Sequence, residues 1–328
     1  MKEVILTKIR LGVLGRANIA VRSIIPAVQE LKEYFDLVGV ATRNIESDSA
    51  AAFKIIDGYE TMLDKRFIDA IYIPLPNSLH YKWVKKSLEK GIHVLVEKSL
   101  SCTYEEVIEL NSIAKEKDLA LLENFQFRFH SQLQYILNLL KEETLGDLRI
   151  IRSSFCFPPF KDVNNIRYKK ELGGGALLDA GAYPVKLSQI LLGNNVHATA
   201  AKLNGDKEFD VDIWGSASIE QNSGELSSQI AFGFDNYYQC NLEIVGSKGR
   251  LYTNRIYTAG DTVKPSISIE VSGQGIKEVE LESDNHFKNM LLCFYELVTG
   301  IKDKNQEYAD NINQSRLLQE IKKISNGK

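Results

Sequence analysis

The stretch from Lys8 to Leu31 restricts the possible folds more than any other part of the chain. Leu11, Gly12, Val13 and Leu14 form a short apolar run, Gly15-Arg16-Ala17-Asn18-Ile19-Ala20 follows, and Ala20, Ile24, Ala27, Val28 and Leu31 recur at helical spacing. A buried strand, a tight turn and an amphipathic helix in that order open a dinucleotide-binding βαβ unit. Gly15, Ala17 and Ala20 occupy the three small positions of the Gly-x-Gly-x-x-Gly/Ala fingerprint. The first allows the turn, the second lets backbone approach a pyrophosphate, and the third lets the helix pack on the sheet. Alanine at the second position narrows the room for phosphate, so the strand-turn-helix of a non-binding α/β protein also fits these residues.

The chain that follows repeats the alternation. A second strand, Phe35 to Thr42, reaches Ala41-Thr42-Arg43-Asn44, where NAD-specific folds place an acid for the ribose 2′-hydroxyl. No acid is there. Arg43, with Arg16 in the turn, offers a guanidinium fork to a 2′-phosphate instead; a solvated loop charge is the alternative for either. A strand from Ile68 to Ile73 stops at Pro74-Leu75-Pro76-Asn77, and the helix from Ser78 carries Leu79, Trp83, Val84 and Leu88 on one stripe until Gly91. His93 to Val96 is a fourth strand, ending in Glu97-Lys98-Ser99. Thr103 and Glu106 form a capping box for the next helix, and Leu119 to Leu122 is a fifth strand. Alternating strands and helices predict a parallel, doubly wound sheet. Ligands of such sheets sit beyond the carboxyl ends of the strands, so Pro74 to His80, Glu97 to Ser99, and Glu123 to Gln126 should share an edge with Gly15.

Near Leu148 the period changes from 3.6 to 2. Tyr238, Cys240, Leu242 and Ile244 alternate with Tyr237, Gln239, Asn241 and Glu243, and Ile267, Ile269 and Val271 with Ser268 and Glu270. Such strands keep one face solvated or in an interface, which predicts a largely antiparallel sheet. Residues 1–124 and 125–328 are thus read as two domains, an α/β Rossmann domain and an α+β domain with a largely antiparallel open sheet. Between the first long strand (Leu148 to Phe157) and the rest lies Gly173-Gly174-Gly175-Ala176-Leu177-Leu178-Asp179-Ala180-Gly181-Ala182-Tyr183-Pro184. Asp179 and Tyr183, four apart, share a face if that segment is helical. The apolar positions of Phe287 to Val298 and of Leu317 to Ile324 read as covering helices.

Composition excludes several classes. In 328 residues a net charge of -3 gives no footprint for nucleic acid or an anionic membrane. Lys2, Glu3, Lys8 and Arg10 interrupt the N-terminus, and no stretch is long and apolar enough to span a bilayer. A cytoplasmic protein is the default expectation. Cys102, Cys156, Cys240 and Cys293 lie too far apart for a zinc knuckle or redox pair, and the five histidines are scattered, so no metal site is expected.

GVLGRANIA, ATRN, AIYIPLPNSLHYKWV, GIHVLVEKSL, LLENFQFRFHSQ and GGGALLDAGAYPV, in this order, resemble the glucose-fructose oxidoreductase / inositol dehydrogenase / rhizopine-catabolism family. Phe157-Pro158-Pro159, Asn165-Ile166-Arg167-Tyr168 and the segment from Phe232 to Arg250 are most similar to its nucleotide-sugar 3-ketoreductase branch. The resemblance implies hydride transfer between NADP(H), with NAD(H) as the other possible cofactor, and a sugar carbon. It implies cofactor contacts from Gly15, Arg16, Ala17, Asn18 and Ile19, from Thr42 and Arg43, and from Pro74, Leu75, Asn77 and His80. Glu97, Lys98 and Asn124 complete that set. Arg167, Tyr168, Asp179 and Tyr183 would meet the sugar or nucleotide sugar, and a homodimer or homotetramer is implied. Lys98 and Tyr183 match the family's catalytic positions, with Asp179 as an orienting acceptor. One departure stands beside the lysine. Ser99 replaces the usual proline, and because a cis bond costs about 2.5 to 4 kcal/mol without proline, a trans Lys98-Ser99 bond is expected.

Reducing a ketone leaves an alkoxide that needs a proton, and a phenol of pKa near 10 donates poorly unless a cation favours its phenolate. In this reading Lys98 supplies that cation to Tyr183. Asp179 at a helix N-terminus also suits the helix dipole without any sugar. A free-sugar or trans-dihydrodiol dehydrogenase, and a dinucleotide-binding regulator without turnover, are the alternative functions.

Overall fold

The computed structural model describes residues 7–43, 53–206 and 208–327; Lys2, Glu3 and Asn44, used above, lie outside them. These residues form two compact units. One holds the described residues up to Asn124 together with Phe287–Ile312, and the other holds Phe125–His286 with the residues from Asn313 onward.

In the first unit β1 (Ile9–Leu14), β2 (Phe35–Thr42), β3 (Ile55–Asp57), β4 (Ala70–Ile73), β5 (His93–Glu97) and β6 (Leu121–Asn124) form one sheet. Its order is β3-β2-β1-β4-β5-β6 and every pair is parallel. The strand order reverses between β1 and β4, which opens a crevice at their carboxyl ends. A π-helical turn, Ala20–Ile24, leads into α1 (Ile25–Glu30). Ala20, Ile24, Ala27 and Val28 are buried as their spacing predicts. α2 (Tyr59–Met62), α3 (Asn77–Glu89) and α4 (Tyr104–Glu116) follow. Gly91, at φ 75°, ends α3 in a conformation glycine adopts freely. Thr103 Oγ1 accepts the Glu106 N–H at 3.3 Å and caps α4. β3 and α2 are the elements the periodicity does not show. β3 is an edge strand of three residues, too short to carry a period.

The second unit begins with a 3₁₀ turn, Gln126–Phe129, and α5 (Ser131–Lys141). A second π-helical turn, Leu177–Gly181, leads into α6 (Ala182–Leu192). Its sheet comprises β7 (Leu148–Cys156), β8 (Val196–Gly205), β9 (Asp212–Gln221), β10 (Ser227–Gly233), β11 (Gln239–Gly246), β12 (Gly249–Thr253), β13 (Ser266–Val271) and β14 (Gly275–Glu280). The order is β14-β13-β12-β11-β7-β10-β9-β8, antiparallel except for β7 with β10. Cys240, Leu242, Ile244, Ile267 and Ile269 point into the core as their alternation predicts. Tyr238 does not. It precedes β11, is exposed, and lies under the Arg255 guanidinium, 5.8 Å from ring centroid to Cζ. On the opposite face Arg152 pairs with Glu243 at 2.9 Å and Arg250 with Glu270 at 2.7 Å, beside exposed Trp214 and Tyr252.

Two helices close the chain, α7 (His286–Thr299) and α8 (Asn305–Ser325). α7 packs in the first unit, where Tyr295 meets Tyr34 edge-on at 5.0 Å. α8 gives Tyr308 to the first core and Leu317, Leu318 and Ile321 to the second. Residues 287–312, which one cut after residue 124 leaves with the second domain, therefore pack in the first unit.

Candidate active site

The carboxyl edge of the first sheet brings the predicted loops together. Gly15 has φ 116°, its N–H donates to Ala41 O at 3.0 Å, and a Cβ there would meet Leu75 Cδ2 at 2.7 Å. The turn thus needs glycine on two counts, conformation and space. Ala17 and Ile19 are half-buried, whereas Arg16 and Asn18 are exposed beyond β1. At the end of β2, Thr42 O accepts the Gly58 N–H at 2.9 Å, and exposed Arg43 lays its guanidinium over Tyr59, Cζ 5.7 Å from the ring centroid. This edge fits a dinucleotide: a glycine turn at the strand-order reversal, a helix start behind it, and a guanidinium after β2.

Several residues expected to touch the cofactor also hold the loops together. Asn77 Oδ1 accepts the Ser99 N–H at 3.2 Å. His80 is fully buried, with Nδ1 2.7 Å from Ser99 O and Nε2 2.7 Å from Leu75 O. It ties the loop after β4 to the loop after β5. Burial pushes its imidazole down to about 4, against the pull of the two carbonyl acceptors. The Lys98-Ser99 peptide is cis, which corrects the trans expectation. Asn77 and His80 grip its serine, and Glu123 Oε1 accepts the Leu100 N–H at 2.8 Å just beyond it.

Glu97 accepts from Tyr72 Oη at 2.5 Å and from Asn124 Nδ2 at 2.7 Å. Burial raises its carboxyl pKa, and these two donors oppose the rise. At the end of β6, Asn124 Oδ1 is buried and has no hydrogen-bond partner among the described residues. Partly buried Lys98 follows Glu97 on the same edge, between residues that are themselves anchored.

In the second unit the glycine-rich segment builds the other half of the predicted set. Gly173 takes the left-handed conformation after a short 3₁₀ turn. A Cβ on Gly174 would strike Arg167 O, and Gly175, at φ 112°, donates its N–H to that oxygen at 2.9 Å. Half-buried Asp212 accepts the Leu177 N–H at 2.6 Å, fixing the start of the π-helical turn, and desolvation raises its pKa. Gly181 lets that turn lie on Phe232, whose ring would stand 2.9 Å from a Cβ.

Arg167 Nε donates to Asp179 Oδ2 at 2.6 Å, and the guanidinium covers Phe160, Cζ 4.8 Å from the ring centroid. Asp179 is therefore paired with Arg167 within its own unit. Tyr183 sits among aromatic rings: Phe155 at 5.0 Å, Phe125 and Tyr257 at 5.7 Å, and Phe127 at 6.0 Å. Its hydroxyl donates to Gln126 Oε1 at 3.5 Å, the long end of the hydrogen-bond range. Tyr168 is buried beside this pair. Its hydroxyl accepts the Phe160 N–H at 3.1 Å and its ring stacks on Phe209 at 4.2 Å, so it builds the wall behind Arg167.

Sequence reasoning placed Gln126 only as the end of a loop and did not single out Phe155, Asp212 or Lys186. Only Lys186 carries a local signal, a lysine between Val185 and Leu187 in a helix apolar on every side.

Residues 9–125 match the oxidoreductase family with an NAD-binding Rossmann fold, and residues 133–252 match the GFO/IDH/MocA C-terminal domain. The chain is 32% identical over 320 residues to the dTDP-3,4-didehydro-2,6-dideoxy-alpha-D-glucose 3-reductase of Actinomadura kijaniata, covering 96% of this chain and 95% of that one. Identity is 33% over 325 residues to the enzyme of the same name from Streptomyces antibioticus, covering 97% of each. The crystal structure of KijD10, a 3-ketoreductase from Actinomadura kijaniata in complex with NADP and TDP-benzene, matches with TM-score 0.90 at 31% identity, over 96% of this chain and 97% of that one. With both units matched along nearly their whole length, the chain belongs to the GFO/IDH/MocA family of oxidoreductases.

Proposed function

We propose that the protein reduces the 3-keto group of a nucleotide-linked deoxysugar with NADPH. The observation that carries this reading is Tyr183, a phenol in an aromatic wall, four residues after an aspartate clamped by arginine. When bound, NADPH supplies a hydride from nicotinamide C4 to the carbonyl carbon. Tyr183 gives the carbonyl oxygen its proton, so ketone, hydride and proton sum to the alcohol. The Arg167-Asp179 pair offers both donors and acceptors to sugar hydroxyls, and the flanking rings fix the orientation of the phenol. Lys98 serves as cation and donor at the nucleotide edge, for the sugar or the nicotinamide ribose. Gly15 with the helix start behind it takes the pyrophosphate, and Arg43 takes the 2′-phosphate.

NADPH oxidation with a panel of ketosugars tests the reading. Turnover on nucleotide-linked 3-ketosugars is expected. Preference for free aldoses or trans-dihydrodiols would replace the substrate, and tight cofactor binding without turnover on any of them would make the protein a sensor. We further propose that the second sheet's solvent-facing side, with Trp214 and Tyr252, pairs copies of the chain. Light scattering should then give a dimer or tetramer rather than a 37.0 kDa monomer.

A further inference from the structure

In the first unit the end of β2 and the start of α2 meet at one ring. Gly58 takes φ 76° after β3, and its N–H donates to Thr42 O at 2.9 Å, which brings Tyr59 beside Thr42 and Arg43. Tyr59 is 9% exposed, and Trp83 of α3 meets it edge-on, ring centroids 5.2 Å apart at 89°. Its hydroxyl lies 3.8 Å from the place a Cβ on Gly15 would take. One rigid side chain thus runs from the glycine turn to the end of β2. Arg43 lies over its face, Cζ 5.7 Å from the centroid, within the range of a cation–π attraction. Lys82 and Lys86 lie over Trp83 instead, at 5.2 and 5.1 Å.

Two carboxylates stand close to this ring. Asp57 ends β3 opposite Thr42 in the parallel register and is exposed, yet among the described residues no ion pair joins it to Arg43. Glu60, next to Tyr59, is taken by Lys86. An ion pair would occupy the N–H edge of the Arg43 guanidinium, whereas stacking uses its π face and leaves the planar fork of donors for phosphate oxygens. We infer that Tyr59 is a positioning residue of cofactor choice: its ring holds the Arg43 fork at a fixed reach from the Gly15 turn, so that the pyrophosphate and the 2′-phosphate of one NADPH are met together. The inference rests on the reading of Arg43 as the 2′-phosphate site. An exposed arginine loses rotamer freedom when it clamps a ligand, and stacking on a buried ring supplies that order before the ligand arrives.

Equilibrium fluorescence titration of the full-length protein with NADPH and with NADH is the test. Tyr59→Leu and Tyr59→Met fill the place of the ring without a π face, and NADH affinity reports in each whether the glycine turn is intact. Both should weaken NADPH by roughly 3- to 20-fold and NADH by less than about twofold. Tyr59→Phe, which keeps the face, should bind both cofactors as the wild type does. In an Arg43→Ala background Tyr59→Leu should weaken NADPH no further, because the two changes remove one interaction. Additive losses in the double variant, or loss of NADH along with NADPH, would overturn the inference and make Tyr59 a support of the turn. Weakening by Tyr59→Phe as large as by Tyr59→Leu would move the effect to the hydroxyl and overturn it too. If Arg43→Ala leaves the NADPH/NADH ratio unchanged, the 2′-phosphate reading fails and the inference with it. If Arg43→Ala lowers the ratio and neither Tyr59→Leu nor Tyr59→Met does, the inference alone fails.

Discussion

In the proposed reading Arg43 sets the choice of cofactor. The described end of β2, Ala41-Thr42-Arg43, has no carboxylate for a ribose 2′-hydroxyl, and the guanidinium is already oriented on Tyr59. Arg43→Ala should cost NADPH about 1.5 to 3 kcal/mol of binding and leave NADH nearly unaffected. Fluorescence titration of both cofactors measures this, and an unchanged NADPH/NADH ratio would remove Arg43 from the phosphate site. At this scale the sequence revealed residues whose type is bound to a chemistry, such as Gly15, Lys98 and Tyr183. It did not reveal partners made by folding. Asp179 was read as an acceptor for a sugar or Lys98, and its tie to Arg167 spans a loop no periodicity describes. His80 stands in a motif that points at the nucleotide, yet its ring is spent on two backbone carbonyls.

Elements with a long apolar period or a capping signal were legible: β2 runs from Phe35 to Thr42 as read, and Thr103 caps α4. The glycine-rich segment was legible as a motif but not as a device. Its three glycines are needed because Arg167 O, the left-handed turn and Asp212 crowd the start of α6. Gly175→Ala places a Cβ at φ 112° against Asp212 Oδ1, so it should destabilise the protein by about 1 to 3 kcal/mol. It should also raise KM for the sugar, because the same turn carries Asp179. Denaturant titration with steady-state kinetics checks both, and native stability with native KM would show that the turn tolerates a side chain.

At the scale of the whole molecule, the buried histidines set an acid limit. Burial holds His80, His93 and His286 each near a pKa of about 4, below the ordinary 6.5. The unfolded chain therefore binds more protons in that window. The stability due to keeping these rings neutral is complete above about pH 6.5 and is lost as pH falls toward 4. The loss is at most about 3 kcal/mol per ring. His93 Nδ1 accepts the Ala120 N–H at 2.9 Å, a bond its protonation destroys, whereas His80 between two carbonyls gains a donor and should contribute least. Thermal midpoints should fall between pH 6.5 and 4, and His93→Asn should flatten that fall; a pH-independent midpoint would contradict the assignment.

The central claim is that Tyr183 delivers the proton in an NADPH-dependent ketone reduction. Tyr183→Phe keeps the ring among Phe125, Phe155 and Tyr257 and removes only the proton, so the fold should be preserved. Single-turnover hydride transfer from NADPH to a nucleotide-linked 3-ketosugar, followed by the loss of NADPH fluorescence, is the direct measurement. The account predicts a slowing of roughly 10² to 10⁴ with NADPH affinity nearly unchanged. Full-rate transfer by Tyr183→Phe, with a deuteride isotope effect showing that chemistry limits the step, would contradict it.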